Sequence, residues 1–212
     1  MGVTLTYLAI PPKSSFYARL QNERAFRVLA QQLFPHESLF GSFEYEPMTF
    51  NKCMGEAIDN HPDIFCGTEI ETSMLVGEFR DALRITCRDY PEIVSITSAS
   101  LEKSFTEIRD RLTEELSRQK FEDVDDIVAN LLYGDIDLGK SVNPGEESFG
   151  FALTSREAVK KGANILRQIE PETLFPEGDD GNEGWYSMNF IEWKKFYLLV
   201  DELDAEIIMD VI

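Results

Sequence analysis

Histidine, cysteine and positive charge are scarce in this chain, and each shortage closes off a class of chemistry. With only His36 and His61, and no Gly-x-Ser-x-Gly run, neither a serine nor a cysteine triad has the residues it needs. His36 follows a helix-ending Pro35 and reads as a cap or surface residue. Cys53, Cys66 and Cys87 are too few and too irregularly spaced for a disulfide framework. They fit a reducing cytoplasm, where free cysteine serves as a small buried hydrophobe. His61 and Cys66 have Asp59 and Asp63 nearby, but the paired spacings of a structural zinc site are missing, and Asn60-His61-Pro62-Asp63 reads as a turn. No metal site and no cofactor is expected. No apolar run approaches the roughly 20 residues of a membrane span. Met1-Gly-Val-Thr-Leu5 lacks the basic region of a signal peptide, and a lipid on Gly2 would be buried with the strand that follows.

The shortage of bases is the strongest signal. Lys and Arg number 20 against 39 Asp and Glu, a formal net charge of −19. The imbalance grows along the chain: six acids and five bases in residues 1–60, 21 and 13 in 61–168, then twelve acids against Lys194 and Lys195 alone in 169–212. Phosphate binding needs the opposite sign, so neither nucleic acid nor an anionic membrane surface is an expected partner. Solubility is one use of such charge. The other is a face for a basic protein partner, and the loop bearing Glu177, Asp179, Asp180 and Glu183 is the expected contact.

What is present is ample apolar pattern. In the closing stretch Phe190, Trp193, Tyr197 and Val200 recur at helical spacing, widened by Phe196, Leu199 and Leu203. Ala205 to Ile212 then reads as a terminal strand rich in β-branched residues. At the other end, Val3 to Ile10 is a strand stopped by Pro11-Pro12, and a helix capped at Ser14 or Ser15 runs through Phe34. Residues 35–68 read as a long, partly ordered connection with short helical turns. Helices follow over 69–88, from Ser98 or Ser100 through Leu116, and from Asp123 to Gly134. Gly134 to Gly150 reads as a glycine-bearing loop and 149–153 as a short strand. Thr154 opens a helix with Glu157 at the place of a capping box.

Gly134-Asp-Ile-Asp-Leu-Gly139-Lys140-Ser141 satisfies the phosphate-loop pattern, which makes a nucleotide-binding enzyme the rival functional reading. Such a loop needs a strand before it and a helix after it, so that backbone N–H groups face the phosphates. Here a helix precedes, Pro144 and Gly145 follow, and Asp135 and Asp137 place negative charge where phosphate would lie. Asp179 to Gly184 fails as a calcium-binding EF-hand, because Gly181 takes a ligand position and Phe190 the closing Glu. Glu69 and Glu71 diverge on a helix and make a poor acid–base pair.

The Met1-Gly2 opening into a strand resembles the YfbM-like family of bacterial domains of unknown function. So do Leu131-Leu-Tyr-Gly134, Phe151-Ala-Leu-Thr-Ser-Arg-Glu157, Leu174-Phe-Pro176, the aromatic helix Phe190–Tyr197 and the final strand. The likeness covers the first ten residues and roughly 128–212. The family run carries a histidine where Leu132 stands. The resemblance implies one α+β domain and assigns no activity or catalytic residue. The expected fold is therefore α+β: a single domain over 1–212, a small mixed or antiparallel sheet packed by several helices, and residues 35–120 as a helical expansion. The expected function is a non-enzymatic, cytoplasmic interaction module that binds a basic protein, as toxin-neutralising proteins do.

Overall fold

The structure, a computed structural model, describes residues 4–33, 39–40, 47–140, 150–176 and 183–211. In chain order it begins with β1 (Leu5–Ile10), α1 (Ser15–Asn22), α2 (Arg24–Leu33), α3 (Pro47–Asn60), α4 (Glu69–Asp89) and α5 (Pro91–Val94). It continues with β2 (Ala99–Leu101), α6 (Phe105–Arg118), α7 (Val124–Tyr133), β3 (Ile136–Lys140) and β4 (Gly150–Thr154). It closes with α8 (Arg156–Leu166), α9 (Pro171–Leu174), α10 (Glu183–Glu202) and β5 (Glu206–Val211). The fold is α+β, and the described residues divide into two compact units. One holds the whole sheet with α6 to α10; the other holds α1 to α5.

In the first unit the five strands are antiparallel in the order β2-β1-β5-β4-β3. The terminal strands β1 and β5 pair centrally over six residues, from Leu5 opposite Val211 to Ile10 opposite Glu206. Glu206 to Asp210 of β5 are all buried, which is why β5 reads as a continuous run rather than an alternation. Two of the strands contradict the sequence reading. Ser98 and Ser100 do not cap a helix: Ala99–Leu101 is the edge strand β2, and the helix starts at Phe105. Ile136–Lys140, expected as loop, is the opposite edge strand.

The expected helical face packs on one side of this sheet. Phe190, Trp193, Tyr197 and Val200 are all fully buried, whereas Leu199 stands 41% exposed, off the stripe. Tyr7 of β1 meets Trp193 and Phe196, with ring centroids 6.1 and 6.5 Å apart. The hydroxyls of Tyr7 and Tyr197 donate to the carbonyls of Leu132 (3.0 Å) and Leu131 (3.1 Å). These are last-turn carbonyls of α7 that no helical N–H can reach. Burial pushes both phenols up from their ordinary range, so they stay protonated donors. The cap of α8 is Ser155, whose hydroxyl accepts from the Ala158 N–H; Thr154, expected there, is the buried last residue of β4.

Charge fastens the turn between α10 and β5. Arg156 donates to Asp201 (2.9 Å) and Asp204 (2.5 Å), and Arg167 reaches the other Asp201 oxygen (2.8 Å). Burial pushes the Asp201 carboxyl up, but the Arg167 and Arg156 bonds outweigh it and hold it below the usual carboxylate range. A depressed folded pKa stabilises the fold above the unfolded value, about 3.9, and that stability is lost as pH falls through the folded value. Asp201→Asn is expected to cost about 2 kcal/mol at neutral pH, the scale of hydrogen bonds to charged groups. Urea melts at pH 7 and pH 3 check this, because the gap between variant and wild type should narrow as pH falls below the unfolded value.

In the second unit the expected single helix from Ser14 is two. Glu23 is extended (φ −120°, ψ 112°), separating α1 from α2, and its carboxylate accepts from Arg19 (2.7 Å). The connection expected over 35–68 contains α3, a helix of 14 residues. Its Phe50, Cys53, Met54 and Ala57 are buried at helical spacing, and Pro47 sits at the first position, where a missing N–H costs nothing. Phe16, Phe26, Phe50 and Phe79 form the centre of this core. Among the described residues no helix is long and apolar enough to cross a membrane.

Candidate functional site

Two grooves open on the first unit, one on each side of α7. The groove between α6 and α7, about 500 Å³, is lined by charged residues, with Arg109 bonded to its neighbour Asp110 (2.9 Å) beside Glu114 and Asp125, and by Val128, Ala129 and Tyr133. The groove between α7 and α8, about 660 Å³, has an apolar base. Leu131 and Gly162 are buried where the two helices meet. A Cβ on Gly162 would lie 2.6 Å from Leu131 Cδ2 and 3.1 Å from Tyr197 Cε1, so a larger residue there would make the Leu131 side chain shift. Phe121, Ile127, Ala158 and Ile165 are half-buried along its walls.

The charged groups of the second groove differ in what they are bound to. Asp135 accepts from the Ser155 N–H (2.6 Å) and hydroxyl (2.5 Å), fixing the start of α8 rather than offering a free carboxylate. Lys161, the one cation lining the groove among the described residues, pairs with Glu157 at 3.3 Å. Glu122 and Asp123 are exposed and, among the described residues, make no ion pair. Asp123 precedes α7 in the left-handed region (φ 53°), and its carboxylate makes no cap hydrogen bond. Asp125 and Asp126 stand in the first turn of α7, where negative charge suits the helix dipole.

The residues singled out from sequence fall elsewhere. Glu177, Asp179 and Asp180 lie outside the described residues; Glu183 is the first residue of α10, its side chain likewise outside. Gly134 ends α7 and Gly139 lies in β3 beside a register shift, with its N–H bonded to the Asp137 carboxylate (2.7 Å). One of the N–H groups a phosphate would need is thus already engaged by a carboxylate. Lys140 closes β3, and Ser141 lies outside the described residues. Glu71 forms a capping box with Thr68, each side chain accepting from the other's backbone N–H (2.8 and 3.3 Å). Asp63 is near Arg24 (3.7 Å), and burial lowers the His61 pKa against the opposing effect of Asp63. Among the described residues no three His, Cys, Asp or Glu side chains converge as a metal site. His36 is outside the described residues.

The α7–α8 groove was not found from sequence, because its walls come from segments about 30 residues apart. The one local signal was Phe121 and Ile127 flanking the acids from Glu122 to Asp126. Comparison of the chain with protein-family models, curated proteins and solved structures returned no match.

Proposed function

We propose that this protein is a non-enzymatic cytoplasmic interaction module that binds a basic protein partner, in the manner of toxin-neutralising proteins. We extend the proposal to kinship with the bacterial YfbM-like domains, which supplies no activity of its own. The reading rests on one observation. The exposed acids Glu122, Asp123, Asp125 and Asp126 make no ion pair among the described residues, whereas Asp201, Glu115, Glu107 and Glu157 are each paired with a base. Asp125 and Asp126 have a use in the helix dipole. Glu122 and Asp123 make neither a cap hydrogen bond nor an ion pair among the described residues. A basic partner would pair with them and would associate faster for it.

The test is a pull-down from native lysate at 50 and 500 mM salt, read by mass spectrometry. A basic protein captured only at the lower salt is the expected result. The variant E122Q/D123N/E177Q/D179N/D180N/E183Q, which removes the unpaired acids together with those of the expected contact loop, should melt at the wild-type temperature or slightly higher and capture that protein less well. Capture that is equal at both salts and undiminished in the variant would remove the electrostatic reading. The rival, a nucleotide-binding enzyme at Gly134, Gly139, Lys140 and Ser141, would need phosphate beside Ile136–Lys140, which is an edge strand.

A further inference from the structure

The α7–α8 groove combines half-buried apolar walls with two exposed carboxylates, Glu122 and Asp123, that make no ion pair among the described residues. A small polar ligand would find few buried donors there, and the acids repel phosphate. An aliphatic surface carrying positive charge matches both features at once. Two helices flanking an apolar furrow present the form into which an amphipathic helix lays its apolar face. The half-buried Phe121, Ile127 and Ile165 supply the contact, and Glu122 and Asp123 supply charge at its rim.

We infer that the α7–α8 groove docks a cationic amphipathic helix of a protein partner, its apolar residues against Ile127 and Ile165 and its Lys or Arg against Glu122 and Asp123. This inference rests on the proposed binding of a basic protein, and it names the surface and the form of the bound segment. The opposing arrangement inside the groove supports the sign of the partner. Among the described residues the lining holds four acids, Glu122, Asp123, Asp135 and Glu157, against Lys161, so its net charge is negative.

Three labelled peptides of equal length test it by fluorescence anisotropy with the full chain. One carries Leu at helical spacing among Lys, one replaces every Leu by Ser, and one replaces every Lys by Glu. The Leu/Lys peptide is expected to bind at least tenfold more tightly than the Ser/Lys peptide, and the Leu/Glu peptide not at all. I127S/I165S should lower Leu/Lys affinity at least tenfold, and E122Q/D123N should do the same while flattening its salt dependence. Should I127S/I165S fold poorly, Asn164→Trp, at an exposed position lining the groove, is expected to block binding without touching the core. Equal binding of the Leu/Lys and Ser/Lys peptides, or undiminished binding by the groove variants, overturns this site while leaving a basic partner in place. Absence of binding by either cationic peptide at low salt overturns both.

Discussion

Trp193→Ala is expected to destabilise the sheet-bearing unit by about 3–5 kcal/mol, the range for emptying a large buried aromatic site. Trp193 is fully buried, and three rings surround it: Tyr197 at 5.2 Å in an edge contact, Tyr7 at 6.1 Å and Phe190 at 6.2 Å between centroids. Tyr7 and Tyr197 also carry the hydroxyls that satisfy α7, so a cavity between them loosens two buried hydrogen bonds as well as the packing. Domains hold only about 5–15 kcal/mol in total. The variant should therefore unfold well below the wild-type urea midpoint, followed by far-ultraviolet circular dichroism. Trp193→Phe removes less volume, and since the indole N–H makes no hydrogen bond among the described residues, its loss should be smaller. Equal midpoints for Trp193→Ala and wild type would contradict the placement of α10 over the sheet.

This closing helix was legible because its signal is local: four aromatic or β-branched residues at steps of three and four. The terminal strands were legible for the same reason, each a short β-branched run bounded by turn residues. What could not be read depended on pairing. Ala99–Leu101 is a three-residue strand, too short to show alternation, and it exists because Leu5, Thr6 and Tyr7 offer it a partner. Ile136–Lys140 has two aspartates and two glycines in its neighbourhood, all poor strand formers, yet pairs with β4 through an irregular register. α3 was hidden by Pro47 and Gly55. The proline is at the tolerated first position, and Gly55 is exposed with nothing within 4 Å of its would-be Cβ. The break at Glu23 carries no proline or glycine to announce it. For the site, the net acidity was plain from composition, but which acids stay unpaired is decided by tertiary neighbours such as Arg156 with Asp201.

The phosphate-loop pattern yields the second large effect, because the structure gives its glycines work that requires no nucleotide. Gly134 terminates α7 at φ 76° and ψ 169°, a region side-chain-bearing residues occupy at a cost of order 1–3 kcal/mol. A Cβ there would also stand 2.5 Å from the Leu153 carbonyl oxygen and 2.9 Å from its carbon. That neighbour is backbone of β4 and cannot swing aside, so β4 or the end of α7 must shift, and overpacking adds about 1–3 kcal/mol. Asp135 follows immediately, its N–H bonded to the same Leu153 carbonyl (3.1 Å) and its carboxylate to Ser155, so the shift would also disturb the start of α8. Gly134→Ala is therefore expected to lower the melting temperature by many degrees, whereas Lys140→Ala, at the end of an edge strand, should leave it unchanged. A magnesium-ATP titration of wild type should show no binding in the micromolar range. Micromolar binding lost in Lys140→Ala would establish the nucleotide reading instead, and a Gly134→Ala variant as stable as wild type would show that the tight turn between α7 and β3 is not what keeps glycine there.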